Sequence, residues 1–345
     1  MNPRYLPDTK HMLRWLPLAA LALLLAAGCA TTGEGTAVNG EVVPVADDEA
    51  PPRPRDADPS VTLQEDFSAL RDMFRLVGET HGGNVAVVEG IGLQPTNPVN
   101  WQRTPYRRVV EDLARHVQAE VQDASHYYFV YPPGYEALLP LSLQGMLGEA
   151  GDDIVDCAFG EGTPLFDVFA LLSKSLNRAI VADNILAEST SGEIILNGAP
   201  LWAVLEAVLK SARVVPGTFE IDVTEEYIFL HASQPQRPRQ FLSGRDRLTD
   251  AQRQALGRTV TVELAPQRRN APQDGAQTLE QVLTPLSQQM GVAISTEARL
   301  RDLPVNPVYL PNVRVETALD LIVRQWPYPI FIYRFAEEGI RIVTR

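Results

Sequence analysis

Beyond residue 28 the chain holds four histidines (His81, His116, His126 and His231) and two cysteines (Cys29 and Cys157), the side chains best suited to metal binding or nucleophilic attack. His116 and Glu120 stand four residues apart, the spacing of two ligands on one helix face. No third ligand accompanies them, so a solvated helix face is the simpler reading. His81 lies in Glu79-Thr80-His81-Gly82-Gly83, where a helix should end and a cation suits the dipole. Asp152, Asp153 and Asp156 form an acidic strand start without the opposed carboxylate that glycoside hydrolysis needs. Gly160-Glu161-Gly162 is too short and too acidic to cradle phosphate. Trp326-Pro327-Tyr328 and Tyr127-Tyr128 read as core or strand residues rather than ligand platforms. There is no G-x-S-x-G elbow, H-E-x-x-H helix, phosphate loop or C-x-x-C pair. The expectation is a non-enzyme with no cofactor and no metal.

Composition narrows the classes further. The 345 residues are 45% hydrophobic and 21% charged, enough apolar material for a core of two or three domains. The net charge is −13, and Arg4, Lys10 and Arg14 against Asp8 give the first 28 residues +2, so a processed chain stands near −15. Such a chain repels phosphate backbones, and nucleic acid is set aside as a partner.

Residues 15–28, WLPLAALALLLAAG, follow Lys10 and Arg14. This run is short for a membrane span, which takes about 20 apolar residues, and has the layout of a signal peptide over 1–28. Met12, followed by Leu13-Arg14-Trp15, is an alternative start to Met1. The ending Leu25-Ala26-Ala27-Gly28-Cys29 resembles the lipobox of bacterial lipoproteins, with its Leu one place early. The resemblance implies cleavage before Cys29 and acylation of its thiol. Ala30 in the following place then implies an outer-membrane anchor facing the periplasm. Residues 29–60 carry Gly33, Gly35, Gly40, Asp47-Asp48-Glu49 and PPRPR with few large apolar groups, and are expected to be a disordered tether. Cys157, between Val155 and Phe159, reads as a small buried hydrophobe.

The remaining chain repeats itself. A constant offset of 114 lays Leu165, Val168, Leu172 and Leu176 on Leu279, Val282, Leu286 and Met290, and Leu205 and Val208 on Leu319 and Ile322. A fainter copy begins at Phe67 and includes Phe74, Val77, Val110 and Leu113. Apolar residues spaced three and four apart give helices, and the short alternating runs between them give strands. The order is β-α-β-β-α-β, so the expected class is α+β, with two helices on a small sheet of about 75 residues, three times over.

Residues 278–343, with L-x-x-V-L, VAIS and VYLPNVRVETALDLIV, resemble the secretin and TonB short N-terminal (STN) domain. Residues 164–231 share the pattern, and residues 61–131 share it more faintly. Two places depart from it: Gln325-Trp326-Pro327 and Ser211-Ala212-Arg213 stand where the family usually has Gly after the second helix. The expected organisation is 61–133, 153–233 and 258–345 as three STN-like domains, with 234–257 a basic linker and 132–153 a glycine-rich connector carrying a short apolar element near Leu138 to Leu147. The resemblance implies a periplasmic scaffold or adaptor lipoprotein. Its partner would be a secretin-type channel or inner-membrane component of a secretion or pilus system, with membrane contact through the lipid. A TonB/anti-sigma signalling module, or an envelope hydrolase or peptidoglycan binder with an unrecognised site, are the alternatives. Expected contact residues are Tyr227 and Phe229, Ile340 and Ile342, on strands taken as sheet edges, together with Arg237, Arg239, Arg245 and Arg247 of the linker.

Overall fold

A computed structural model describes residues 41–44, 59–233, 241–264, 277–326 and 331–345. Cys29, Arg237 and Arg239 lie outside the described residues, as do Pro327 and Tyr328. Within the expected tether, β1 (Glu41–Pro44) is a strand, so disorder across 29–60 is corrected there.

Three stretches of the chain then share a common order of elements. The first unit is β2 (Ser60–Glu65), α1 (Leu70–His81), β3 (Val85–Val87), β4 (Val99–Pro105), α2 (Tyr106–His116), β5 (Glu120–Asp123) and β6 (Tyr128–Tyr131). The second is β7 (Ile154–Phe159), α3 (Leu165–Leu176), β8 (Ala179–Ala182), the short α4 (Asn184–Ala187), β9 (Ile194–Pro200), α5 (Leu201–Ser211), β10 (Phe219–Val223) and β11 (Tyr227–Ala232). The third opens with α6 (Asp250–Gly257) and continues through β12 (Thr259–Leu264), β13 (Gln277–Thr278), α7 (Leu279–Met290), β14 (Ile294–Thr296), β15 (Pro304–Val305), β16 (Val308–Arg314), α8 (Val315–Arg324), β17 (Phe331–Ala336) and β18 (Gly339–Thr344). Each unit has an unexpected strand (β5, β10 or β17) that makes a hairpin with the closing strand, and the third unit adds the two-residue pair β13 and β15. In β5, Glu-Val-Gln-Asp offers no apolar alternation, and only its pairing marks it as a strand.

The ladders repeat in detail. β2 pairs with β4, β7 with β9 and β12 with β16, all antiparallel, with a register shift at Val61/Leu63, Val155/Cys157 and Val260/Val262. The skipped residues Thr62, Asp156 and Thr261 each accept a hydrogen bond from the backbone N–H of Arg103, Gly198 and Asn312. Those three donors all hold positive φ, between 48° and 61°. Two residues of β4, β9 and β16 oppose one residue of β2, β7 and β12, so the N–H of the extra residue lacks a ladder partner and the side chain opposite supplies one. Asp156 therefore serves the backbone, and Asp153 pairs with Arg178 at 3.5 Å. The strand after α1, α3 or α7 runs parallel to the closing strand of its unit: β3 with β6, β8 with β11 and β14 with β18.

Helix starts and stops follow from the chain. Thr278 caps α7 through a capping box with Gln281, and Thr249 caps α6 with Gln252. Gly82, Asn177 and Gly291 end the first helices in the left-handed conformation. Gln118 and Arg213, just past α2 and α5, also take positive φ, 56° and 60°. His116 is the last residue of α2 while Glu120 is on β5, so the two do not share a helix face.

The first two units share one sheet, ordered β1-β7-β9-β3-β6-β5, because β3 pairs with β9 across the unit boundary. They also share one core, from Val61 to Leu230. The connector between them is packed rather than loose: Leu138, Leu141, Leu143 and Leu147 are buried. A second core runs from Ala179 to Ile342 and takes in Phe241, Leu242, Leu248 and Leu256. The basic linker is therefore, over its described part, packed onto the third unit's core through these apolar side chains while Arg245 and Arg247 stay exposed. No described helix is long and apolar enough to cross a membrane.

Candidate functional site

The second unit meets the third through a joint that repeats how the first meets the second. In the closing sheet of the first unit, Gln122, Phe129 and Ala86 lie side by side on three strands. Asp222, Phe229 and Val181 occupy the same register in the second unit. Over the first trio sits Lys210 of α5, 3.3 Å from the Gln122 amide oxygen and 5.9 Å from the Phe129 ring centre. Over the second sits Arg324 of α8, its guanidinium 4.0 Å from the Phe229 ring centre, donating to Asp222 and to the Tyr227 hydroxyl at 3.2 Å. A cation over an aromatic face with a polar acceptor alongside is favourable when water is excluded. The hydrogen bond with His231 and the Arg324 guanidinium hold the Asp222 carboxyl down at about 2.

Four residues ahead of each cation on the same helix stands an acid: Glu206 before Lys210, Asp320 before Arg324. Glu206 accepts from Lys210 at 2.9 Å, Tyr127 OH at 3.0 Å and Leu143 N–H at 3.1 Å, all in the interior. This explains why α5 is buried on every side: its own sheet covers one face and the first unit the other.

Beside the second joint a cleft of about 380 Å³ opens to solvent. Its walls are the β10–β11 turn with Thr224, Glu225 and Glu226, the start of β11 at Tyr227, Arg245, Arg314 at the end of β16, and Glu316, Thr317 and Asp320 of α8. Thr224 Oγ1 shapes the turn by accepting from the N–H groups of Glu226 and Tyr227 at 3.2 and 3.0 Å. Arg314 holds Glu226 at 2.6 Å, and Thr317 Oγ1 donates to the same carboxylate. Arg245 pairs with Glu316 at 3.1 Å, and Glu316 lies in the first turn of α8, where an acid suits the helix dipole. Asp320, at the inner wall, accepts from Tyr333 OH at 2.6 Å, and burial pushes its carboxyl up to about 6. The cleft is lined by charges of both signs, and no thiol, hydroxyl–imidazole pair or opposed free carboxylates converge on it. No group of three His, Cys, Asp or Glu among the described residues is arranged to hold a metal.

No protein-family model matches the chain, and no curated protein or solved structure is significantly similar to it.

Of the expected contact residues, Tyr227 and Arg245 come together in this cleft. Arg247 is exposed but outside it. Phe229, Ile340 and Ile342 are fully buried, which corrects their assignment to open edges. Their strands are central: β11 lies between β10 and β8, and β18 between β14 and β17. The alternation that marks a strand carries no information on whether it has one neighbour or two. Arg314, Glu226, Glu316, Asp320 and Arg324 were not anticipated. A signal for them exists in the acid-x-x-x-base pairs Glu111/Arg115, Glu206/Lys210 and Asp320/Arg324, which fall at one register of the three second helices. Cys157 is buried, and burial, with Asp156 next to it, raises its thiol well above the ordinary range.

Proposed function

We propose that this protein is a non-catalytic envelope adaptor, lipid-anchored at Cys29 on the periplasmic side of the outer membrane, whose three units are STN-like domains that bind another envelope protein. The partner is a component of a secretin-type secretion or pilus system. The cleft at the second joint carries the reading: Tyr227 and Arg245 line an open, charge-rich concavity that no catalytic pairing occupies. Its walls belong to two units, so a partner seated there reads their relative placement as well as their side chains. Paired arginines and carboxylates suit the exchange of ion pairs with a polar protein surface, where charge sets specificity and association rate.

The test is affinity capture of the full chain from crosslinked envelopes, comparing the parent with Arg245→Glu and Arg314→Glu. The expected outcome is a discrete partner that the parent captures and both variants lose. Capture of the same proteins by parent and variants would overturn the cleft as the docking site. Metabolic labelling with palmitate, lost in Cys29→Ser, tests the anchor separately.

A further inference from the structure

The third unit repeats the sheet face that the first two units use as receptors, but with its chemistry inverted. In register with Gln122–Phe129–Ala86 and Asp222–Phe229–Val181 stand Arg334, Arg341 and Ser295 on β17, β18 and β14. Phe129 and Phe229 are fully buried by the helix of the following unit, whereas Arg334 and Arg341 are exposed. The two arginines are directly opposite in the antiparallel ladder, a like-charge pair that destabilises a sheet unless something anionic lies over it. Glu297 is engaged by Arg299 at 2.8 Å, with Arg341 adding to the field that holds its carboxyl low, and Glu337 and Glu338 at the turn between β17 and β18 are exposed. Tyr333, Ile340 and Ile342 point to the opposite side of this sheet and are buried. The arginine face is therefore separate from the cleft, and Asp320 and Tyr333 take no part in it.

We propose that this outer face of the third unit is a docking surface for a helix of another protein that carries a carboxylate where Lys210 and Arg324 carry a cation. The geometry is already used twice inside the chain. A helix crosses the three-stranded sheet and sets one charged side chain over the middle strand, against the residue opposite. At both internal joints a cation meets an aromatic ring and a polar oxygen; at the third face two guanidinium groups call for a carboxylate, which they can clasp through paired N–H donors. A second copy of this chain is the wrong occupant. In the corresponding helix of its first unit, α2, the place of Lys210 and Arg324 is held by the exposed Arg115, which would meet Arg334 and Arg341 with the same sign. This proposal deepens the adaptor reading but does not depend on the cleft, since the two surfaces fail under different substitutions.

The test uses the full chain and two helical alanine-based peptides, one carrying glutamates on a single face and one carrying lysines there, followed by fluorescence anisotropy. The parent should bind the glutamate helix at least tenfold more tightly than the lysine helix. Arg341→Ser should abolish that difference. The variant Arg334→Asp with Arg341→Phe, which writes the second unit's receptor into the third, should reverse the preference. Both variants change only exposed side chains, and unchanged circular dichroism melting checks that they fold. Equal binding of the two peptides by the parent would overturn the proposal, as would an unaltered preference in either variant. Sedimentation of the parent as a concentration-dependent dimer that Arg341→Ser dissolves would assign the face to a second copy and overturn it as well.

Discussion

Replacing Lys210 with Met tests whether the first two units share an interior. The side chains of Lys210 and Glu206 are 2% and 5% exposed, with Nζ and Oε1 2.9 Å apart. Methionine keeps the bulk of the lysine stem, so little cavity is created. What changes is charge: Glu206 stays in the interior with only Tyr127 OH and Leu143 N–H to stabilise it. Removing one partner of a buried ion pair costs about 3–5 kcal/mol, a large part of the roughly 5–15 kcal/mol that holds a folded domain. Adding Glu206→Gln to Lys210→Met removes the stranded charge while keeping an acceptor for Tyr127. The double variant should therefore lose only about 1–3 kcal/mol, less than the single variant. Urea unfolding followed by tryptophan fluorescence and by far-ultraviolet circular dichroism measures both. Because Tyr127 belongs to the first unit, Leu143 to the connector and Glu206 to the second, both probes should report the loss in one transition. A loss below about 1 kcal/mol in Lys210→Met would mean that water reaches the pair, and the shared interior would be refuted.

The other expectations concern single groups. The folded Asp320 carboxyl, near 6, lies above its value in an unfolded chain, so the folded state holds that proton more tightly and stability falls as pH rises from about 4 through 6. Asp320→Asn should therefore stabilise the protein by about 1–2 kcal/mol near pH 8, after allowing for solvent screening, and by nothing near pH 4; equal effects at both pH values in urea titrations would contradict the buried placement. Asp222 has the opposite sign: its carboxyl is held at about 2, so its contribution is present above about pH 4 and is lost as pH falls towards 2, and Asp222→Asn should flatten that acid limb. The Cys157 thiol should resist maleimide in the folded chain at neutral pH and react on unfolding, whereas fast labelling of the native protein would place it at the surface. Thr261→Val removes the acceptor for the Asn312 N–H in the third bulge and should cost about 1 kcal/mol in thermal or urea unfolding.

Helices and the repeat were legible because they are written in local spacing. Leu165, Val168 and Leu172 are all buried on α3, and their counterparts Leu279, Val282 and Leu286 are buried on α7 at the same offset. The all-round apolar character of LWAVLEAVLKS also had a readable meaning, since such a helix needs cover on both faces. Which strands are central was not legible, because β8 and β14, which flank β11 and β18, come from segments 40 or more residues away. For the same reason Phe229 looked like an exposed edge residue although Arg324, 95 positions later, covers it. The cleft was not legible because its walls come from three stretches far apart in the chain, 224–227, Arg245 and 314–320.

Strand β1 lies antiparallel to β7 with Glu41 opposite Ala158 and Pro44 opposite Val155. A pull delivered from the N-terminal side of residue 41 therefore acts along the strand axis and loads the whole short ladder at once, instead of peeling it one bond at a time. Through β7 the load passes into β9 and on to β3, whose pairing straddles the first two units. The segment next to residues 29–40 is thus paired onto the edge of a six-stranded sheet to which both of the first two units contribute strands, so tension on β1 enters a ladder that continues through both.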